Sequence, residues 1–230
     1  MANRAAPALA SVGAGLVATG ISKVFVESGR QKVLYEDLSF AVRKGEKLAV
    51  LGRNGQGKST LIKILGGVTT PTRGRVDRRM SVSWPIGFAG GFQGSLTGFD
   101  NVLFISRIYG RPFEDVLSYV EWFSELGEDL LAPVKTYSSG MRARLAFGLS
   151  LAIEFDCYLI DEVMAVGDSR FTERSQSELF DRRKDRAFVI ASHDIGFLQR
   201  TCDRAIIIHQ GRAKIIENID VACEIYMALD

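Results

Sequence analysis

The sequence predicts an α/β fold in which a sheet-forming core is interrupted by a helical insertion. The apolar run at residues 47–51 stops at a glycine-rich turn and gives way to a helical pattern at 61–65, which is the succession strand, loop and helix. Residues 99–153 instead space their apolar side chains three to four residues apart, as amphipathic helices do. Strand-like apolar runs then return at residues 157–160, 187–191, 205–208 and 213–216.

The length and composition are those of one large domain or two closely joined subdomains, without a strong net charge. The 230 residues are 47% hydrophobic and 24% charged, and the formal net charge is only +2. Because so small a charge produces no long-range field, neither nucleic acid nor an anionic membrane is expected as the main partner. The three cysteines are an odd number without CxxC spacing, which disfavours a disulfide framework and a zinc site and fits a reducing cytoplasm.

The first residues of the chain differ in amino-acid composition from the rest. Residues 1–18 are small and mostly apolar, and Ala-Leu-Ala at 8–10 has the look of a secretory cleavage site. Because proline and glycine dilute the apolar run, we favour a flexible N-terminal extension over a signal peptide. The remaining boundaries predicted are one domain at 19–230, with an α/β core at 19–92 and 154–230 and a helical subdomain at about 93–153.

No segment has the ~18 to 20 uninterrupted apolar residues that span a bilayer. If the protein works at a membrane, another chain must supply the spanning part.

A phosphate-binding pattern follows the first predicted strand. Residues 52–60 read Gly-Arg-Asn-Gly-Gln-Gly-Lys-Ser-Thr and satisfy GxxxxGK[ST] between a strand and a helix. Glycines let the backbone turn its N–H groups toward phosphate oxygens, and the helix N-terminus adds partial positive charge. Lys58 is expected to reach the β and γ phosphates and the Ser59 hydroxyl to ligate Mg²⁺. The predicted nucleotide-binding residues are Gly52, Asn54, Gly55, Gln56, Gly57, Lys58, Ser59 and Thr60.

Two adjacent acids end a later predicted strand. Residues 155–162 read Phe-Asp-Cys-Tyr-Leu-Ile-Asp-Glu. Asp161, at the strand tip, is placed to hold Mg²⁺ through its water shell, and Glu162 to orient the attacking water. The phosphate-binding pattern upstream favours this interpretation over an exposed acidic strand end.

A family resemblance emerges at residues 137–142, Tyr-Ser-Ser-Gly-Met-Arg, which begin a helical run upstream of Asp161. They resemble the LSGGQ signature of ABC-type ATPases, with tyrosine, serine and methionine at three positions where the family has leucine, glycine and glutamine. A hydroxyl and backbone N–H groups at a helix N-terminus suit a γ-phosphate, and they equally suit an ordinary helix cap. The resemblance implies that Ser138, Ser139 and Gly140 of one subunit complete the ATP site of another.

Four further positions extend the resemblance over roughly residues 19–220. Gln93 resembles the Q-loop glutamine that touches Mg²⁺ and the attacking water, and His193 resembles the switch histidine that contacts the γ-phosphate. Asp168 resembles the D-loop residue that meets the opposite subunit. Phe25 resembles the aromatic that stacks on adenine, although a core position suits it almost as well. The implied structure is the ABC ATPase fold, a P-loop NTPase core with a mixed sheet and an inserted helical subdomain.

Three segments are similar in amino-acid sequence to capsular polysaccharide exporters, and these are residues 84–98, 137–142 and 159–168. This resemblance implies a homodimer on the cytoplasmic face of the inner membrane, working with a separate membrane-spanning permease that carries a lipid-linked glycan. The glycan would touch the permease and not this chain. O-antigen and teichoic-acid exporters are the alternative, and they often carry an extra C-terminal domain that this sequence lacks.

The implied mechanism is hydrolysis of MgATP between two head-to-tail subunits. Lys58, Mg²⁺, the loop N–H groups and His193 would stabilise the charge that develops when water attacks the γ-phosphorus. Beyond Gln93, three aromatic residues suit either a groove for the permease or the core, and these are Phe99, Phe104 and Tyr109.

Two rival classes share part of these motifs. Non-transport ABC ATPases carry a long coiled-coil insertion or two ATPase units in one chain, and neither is present in this sequence. A small-molecule P-loop kinase would need an arginine-rich lid and would leave the signature and His193 unexplained. The basic stretches at 73–79 and 182–186 are interpreted as solvated surface.

Overall fold

The computed structural model describes residues 13, 15–27, 30–86, 92–161 and 169–229. Within these residues the chain divides into two units. The first contains residues 15–27, 30–85, 156–161 and 185–229, and the second contains residues 86, 92–155 and 169–184. All described β-strands belong to the first unit, whereas the second is helical.

The strands of the first unit form two sheets. They are β1 (Gly15–Glu27), β2 (Arg30–Arg43), β3 (Lys47–Leu51), β4 (Arg73–Arg78), β5 (Val82–Pro85), β6 (Cys157–Asp161), β7 (Ala187–Ala191), β8 (Arg204–His209) and β9 (Arg212–Ile216). The smaller sheet is antiparallel with the order β2-β1-β4, and the larger has the order β5-β6-β7-β3-β8-β9. The larger sheet is parallel except for β9, which runs antiparallel to β8. The mixed sheet predicted from the sequence is therefore confirmed.

Strand β1 begins at Gly15, which differs from the domain start expected at residue 19. Leu16 and Ala18 are fully buried and belong to the core, and residues 15–18 pair with the end of β2. Their small and apolar character therefore reflects a buried strand, and composition alone could not separate such a strand from an extension.

The seven α-helices of the described residues are α1 (Lys58–Leu65), α2 (Gly98–Ile108), α3 (Phe113–Ser124), α4 (Ser139–Ala152), α5 (Ser169–Gln176), α6 (Ile195–Thr201) and α7 (Ile219–Ala228). Helix α1 packs in a core that both sheets share. Leu61 and Ile62 of α1 cluster with side chains of the small sheet, such as Tyr35, and of the large sheet, such as Leu159. Each of these buried apolar side chains stabilises the folded protein by about 1.5 to 3 kcal/mol relative to the same side chain left exposed. This shared core fixes α1 beneath the loop that precedes it.

The second unit gathers α2, α3 and α4 with a later segment, residues 169–184. Glu178, in a π-helical turn (Ser177–Asp181), is only 4% exposed and accepts hydrogen bonds from Tyr119 Oη at 2.7 Å and Arg183 Nη1 at 2.9 Å. Arg183 also donates to the Leu151 carbonyl at 3.0 Å. Because a buried ion pair is costly to break, this network holds the segment to the helices. The helical unit thus extends beyond the predicted subdomain at 93–153.

Buried thiols mark the first unit. Cys157, Cys202 and Cys223 are free and buried. Burial raises the pKa of the Cys157 thiol to about 12 and that of Cys202 to about 12. Both thiols therefore stay protonated near neutral pH, and protonated thiols are poor nucleophiles.

Among the described residues, no helix combines the length and the apolar character that crossing a membrane requires.

Candidate nucleotide site

The loop of residues 52–57 joins β3 to α1, as the sequence predicted, and its glycines are required by space and by backbone angle. Gly57 has φ +111°, and a Cβ there would lie 2.9 Å from Leu34 Cδ1. A Cβ on Gly52 would lie 2.7 Å from the Ile208 carbonyl oxygen. Because real Cβ atoms do not come so close, larger residues at either position would displace the loop from β2 or β8.

Lys58 is the first residue of α1, and its side chain turns back to the start of the loop. The side chain is buried, and Nζ donates to the Gly52 carbonyl at 2.6 Å. The amine is therefore held within the loop, at the N-terminus of a helix whose partial charge has the same sign. This concentration of positive charge favours an anion.

The next residue, Ser59, meets the acid at the end of β6. Ser59 Oγ donates to Asp161 Oδ1 at 2.9 Å, although the two residues are 102 positions apart in sequence. Parallel strands end at the same edge of a sheet, so the carboxyl end of β6 lies near the loop that follows β3. A hydroxyl and a carboxylate side by side are the hard oxygen ligands that Mg²⁺ prefers.

The histidine after β7 reaches the same loop. His193 Nε2 lies 2.9 Å from Asn54 Oδ1, at hydrogen-bonding distance. β7 is the direct neighbour of β3 in the sheet, which explains why the residues that follow these two strands meet. The structure therefore brings Asn54, Lys58, Ser59, Asp161 and His193 together, all within the first unit.

Gln56 makes a different contact. Its Oε1 accepts a hydrogen bond at 3.1 Å from the backbone N–H of Gln210, in the turn between β8 and β9. The side chain thereby links the loop to this turn.

A pocket of about 350 Å³ opens beside the loop. Its described lining residues are Phe25, Lys32, Leu34, Arg53, Asn54, Gly55, Gly57, Lys58, Ser59 and Thr60. Phe25 is 45% exposed, which excludes the core position left open by the sequence, and Lys23 Nζ lies 5.0 Å from its ring centroid. Lys32, Leu34 and Arg53 were not predicted there. Lys32 and Leu34 lie on β2, and a strand residue reveals its place in a pocket only through its cross-strand partner, whereas Arg53 occupies a position of the loop pattern that any residue can fill.

The residues of the predicted signature lie in the second unit, at the start of α4. Ser138 is the N-cap, and its Oγ accepts a hydrogen bond from Met141 N at 3.2 Å. Tyr137, which departs from the family pattern, is buried, and its hydroxyl donates to the Asp129 carbonyl at 2.6 Å. The first turn of α4 keeps backbone N–H groups that can meet an anion.

Gln93 also belongs to the second unit. Its backbone N–H donates to Asn101 Oδ1 at 3.0 Å, and its side chain is exposed. Two predicted site residues, Glu162 and Asp168, lie outside the described residues.

Comparisons with known proteins bear on these observations. The family model for the ABC transporter matches residues 35–165. The capsule polysaccharide export ATP-binding protein CtrD of Neisseria meningitidis serogroup B is 52% identical over 209 residues, which are 91% of this chain and 97% of that protein. The ATP-binding protein BexA of Haemophilus influenzae is 52% identical over 204 residues, covering 89% of this chain and 94% of its own.

Among solved structures, a dimeric ATP-binding cassette in a post-hydrolysis state, bound to ADP and Pi, superposes with a TM-score of 0.69 at 21% identity. The superposition covers 87% of this chain and 98% of that one. The fold and the family resemblance predicted from the sequence are thereby confirmed, and this chain belongs to the ABC transporter family.

Proposed function

We propose that this chain is the ATP-hydrolysing subunit of an ABC exporter that carries a lipid-linked, capsular-type polysaccharide across the inner membrane. The observation that carries the proposal is the contact of Ser59 with Asp161 beside the phosphate-binding loop, since this contact unites a phosphate site with a metal-ligating pair. The capsule-export relatives support the cargo. The subunit would work on the cytoplasmic face, with a separate permease providing the path through the membrane.

The chemistry of the pocket fits MgATP. Three of its described lining residues are cationic, Lys32, Arg53 and Lys58, and none is acidic, which suits a polyphosphate. Ser59 and Asp161 would hold Mg²⁺ together with phosphate oxygens, because Mg²⁺ is usually bound by one or two carboxylates and substrate phosphates. When bound, the ion neutralises part of the phosphate charge. Phe25 would stack on the adenine.

The residues of the chain then have distinct parts in hydrolysis. Glu162 orients a water molecule and takes its proton as the water oxygen attacks the γ-phosphorus and the bond to the bridging oxygen breaks. Lys58, His193 and the loop N–H groups stabilise the negative charge that develops on the phosphate oxygens. Gln93 contributes to placing the water.

A second copy of the chain completes each site. The first turn of α4, with Ser138, Ser139 and Gly140, would contact the γ-phosphate held by the other subunit, and Asp168 would lie at the same interface. The dimeric cassette structure supports this arrangement. In the second unit, Phe104 and Tyr109 are 50% and 41% exposed and are proposed to receive the permease. Tyr109 also packs on Phe155 at 5.6 Å between ring centroids, and Phe99 packs on Phe113 at 5.1 Å.

The cargo is tested in the organism that carries this gene. Deleting the gene should remove capsular polysaccharide from the cell surface and leave lipid-linked glycan inside, and expression of the parental chain, but not of Lys58→Met, should restore export. Loss of O-antigen or of another glycan with an intact capsule would contradict capsule export and favour the alternative exporters. Copurification of the permease with the parental chain gives an independent check on the partner.

Ser138→Arg is expected to leave ATP binding to the single subunit nearly unchanged. It should lower the steady-state rate of hydrolysis at least about ten-fold, which corresponds to roughly 1.4 kcal/mol in activation free energy. A bulky cation at the start of α4 would obstruct the place of the other subunit's γ-phosphate. The comparison variant is Ser138→Ala, which removes the hydroxyl with its N-cap contact and any contact to phosphate but leaves the space at the start of α4 open, at a cost of about 1 kcal/mol in stability. Parental hydrolysis by both variants, each folded, would reduce Ser138 to a helix cap.

A further inference from the structure

Two cations of the nucleotide pocket, Lys32 and Arg53, have no part in the hydrolysis described above. Lys32 lies on β2, outside the phosphate-binding loop, yet its side chain lines the pocket. A Cβ built on Gly55 would lie 3.9 Å from Lys32 Nζ, so this amine lies beside the middle of the loop. The backbone N–H groups of such a loop surround the phosphates of a nucleotide.

Strand pairing explains how Lys32 comes to this position. In the antiparallel pair of β1 and β2, Lys32 is the direct partner of Phe25. Directly opposed residues project from the same face of a sheet, with Cβ atoms about 4.5 to 5.5 Å apart. The aromatic proposed to stack on adenine and the amine beside the loop are therefore held next to one another by the backbone ladder.

The described lining of the pocket around Lys32 is cationic. Lys32 makes no hydrogen bond or ion pair with another described residue, and the described lining of the pocket has two more cations, Arg53 and Lys58, but no carboxylate. A polyanion bound in the pocket would be attracted by all three cations.

We infer that Lys32 is a second side-chain contact for the nucleotide phosphates, in addition to Lys58. The inference rests on the proposed function, because it deepens the description of the same ATP site. A lysine ammonium is a flexible point charge, so its contribution depends on the phosphates and not on the base. Lys32 thus contributes to the selection of nucleoside di- and triphosphates over nucleosides.

The test compares affinities for ADP and for adenosine by isothermal titration calorimetry, with Mg²⁺ present and with displacement titration for the weaker ligand. Lys32→Met keeps most of the side-chain length. It should lower the affinity for ADP about five-fold, which is the upper range for an exposed charge pair, and leave the affinity for adenosine unchanged. Lys32→Arg should stay within about two-fold of the parental affinity because the charge is kept. The difference between the parental chain and Lys32→Met should shrink in concentrated salt.

Lys214→Met is the matched control. Lys214 is an exposed lysine on β9 of the same unit and is not among the described lining residues, so its removal changes the net charge equally without touching the pocket. Unchanged ADP affinity in Lys32→Met, or equal weakening of ADP and adenosine, would overturn the inference while leaving the proposed function intact. A folded parental chain that bound neither ADP nor ATP would instead overturn the proposed function itself.

Discussion

Lys58→Met is expected to lower ATP hydrolysis by about 10² to 10³-fold, the usual effect of removing one electrostatic contact to a developing charge. The variant keeps most of the buried stem and removes the ammonium group, whose Nζ lies 2.6 Å from the Gly52 carbonyl oxygen. Lys32 and Arg53 also line the pocket, but they lie outside the first turn of α1, where Lys58 is fixed. They should therefore not replace it.

The measurement is steady-state phosphate release, with circular dichroism and thermal unfolding to show that the variant is folded. Lys63→Met is the matched control, because Lys63 lies in the last turn of the same helix and is not among the described lining residues. The control should hydrolyse ATP at the parental rate. A folded Lys58→Met that matches it would remove the phosphate-binding role assigned to this loop.

Glu162→Gln is expected to slow hydrolysis by about 10² to 10⁴-fold and to produce a dimer that persists with MgATP. The amide cannot accept a proton from the attacking water, so ATP stays uncleaved. Replacing a carboxylate near the γ-phosphate also removes a repulsion between like charges, which is screened less at a partly dry interface than in bulk water. Both effects favour the closed dimer.

Sedimentation velocity with and without MgATP measures this association. Glu224→Gln, an exposed acid on α7, is the control for the loss of one negative charge, and it should behave as the parental chain does. A Glu162→Gln protein that stays monomeric at saturating MgATP would contradict the shared site and favour a nucleotide site contained in one chain, as in a small-molecule kinase.

Local sequence patterns were sufficient to predict those parts of the structure that are formed by residues adjacent in the chain. The loop of residues 52–57 can be recognised from the sequence because its glycines, the lysine that follows and the helix are contiguous. Their conformations follow from steric limits on the backbone. Five of the six strands of the large sheet were predicted, all but β5. The parallel ones among them were visible because strands buried on both faces are continuous apolar runs. The start of α4 at Ser138 is likewise a local cap signal.

Long-range pairing was beyond the reach of such patterns. Residues 15–18 look like a small, apolar extension until they pair with β2, and residues 169–184 join the helical unit through contacts with residues distant in sequence, such as those of Phe171 with Phe123 and of Arg183 with Leu151. Both groupings depend on partners far along the chain, which no local pattern identifies.

The sequence by itself determined the family, the fold class and the phosphate-binding loop of this protein. Each rests on residues that are adjacent in the chain or on short motifs recognised by the order and spacing of their residues. Only the tertiary structure decided which distant side chains share the pocket. The 2.9 Å contacts of Ser59 with Asp161 and of His193 with Asn54 depend on strand order, and the place of Lys32 depends on the register of β2 against β1. Register and strand order are set by the packing of the whole core, so no single segment encodes them.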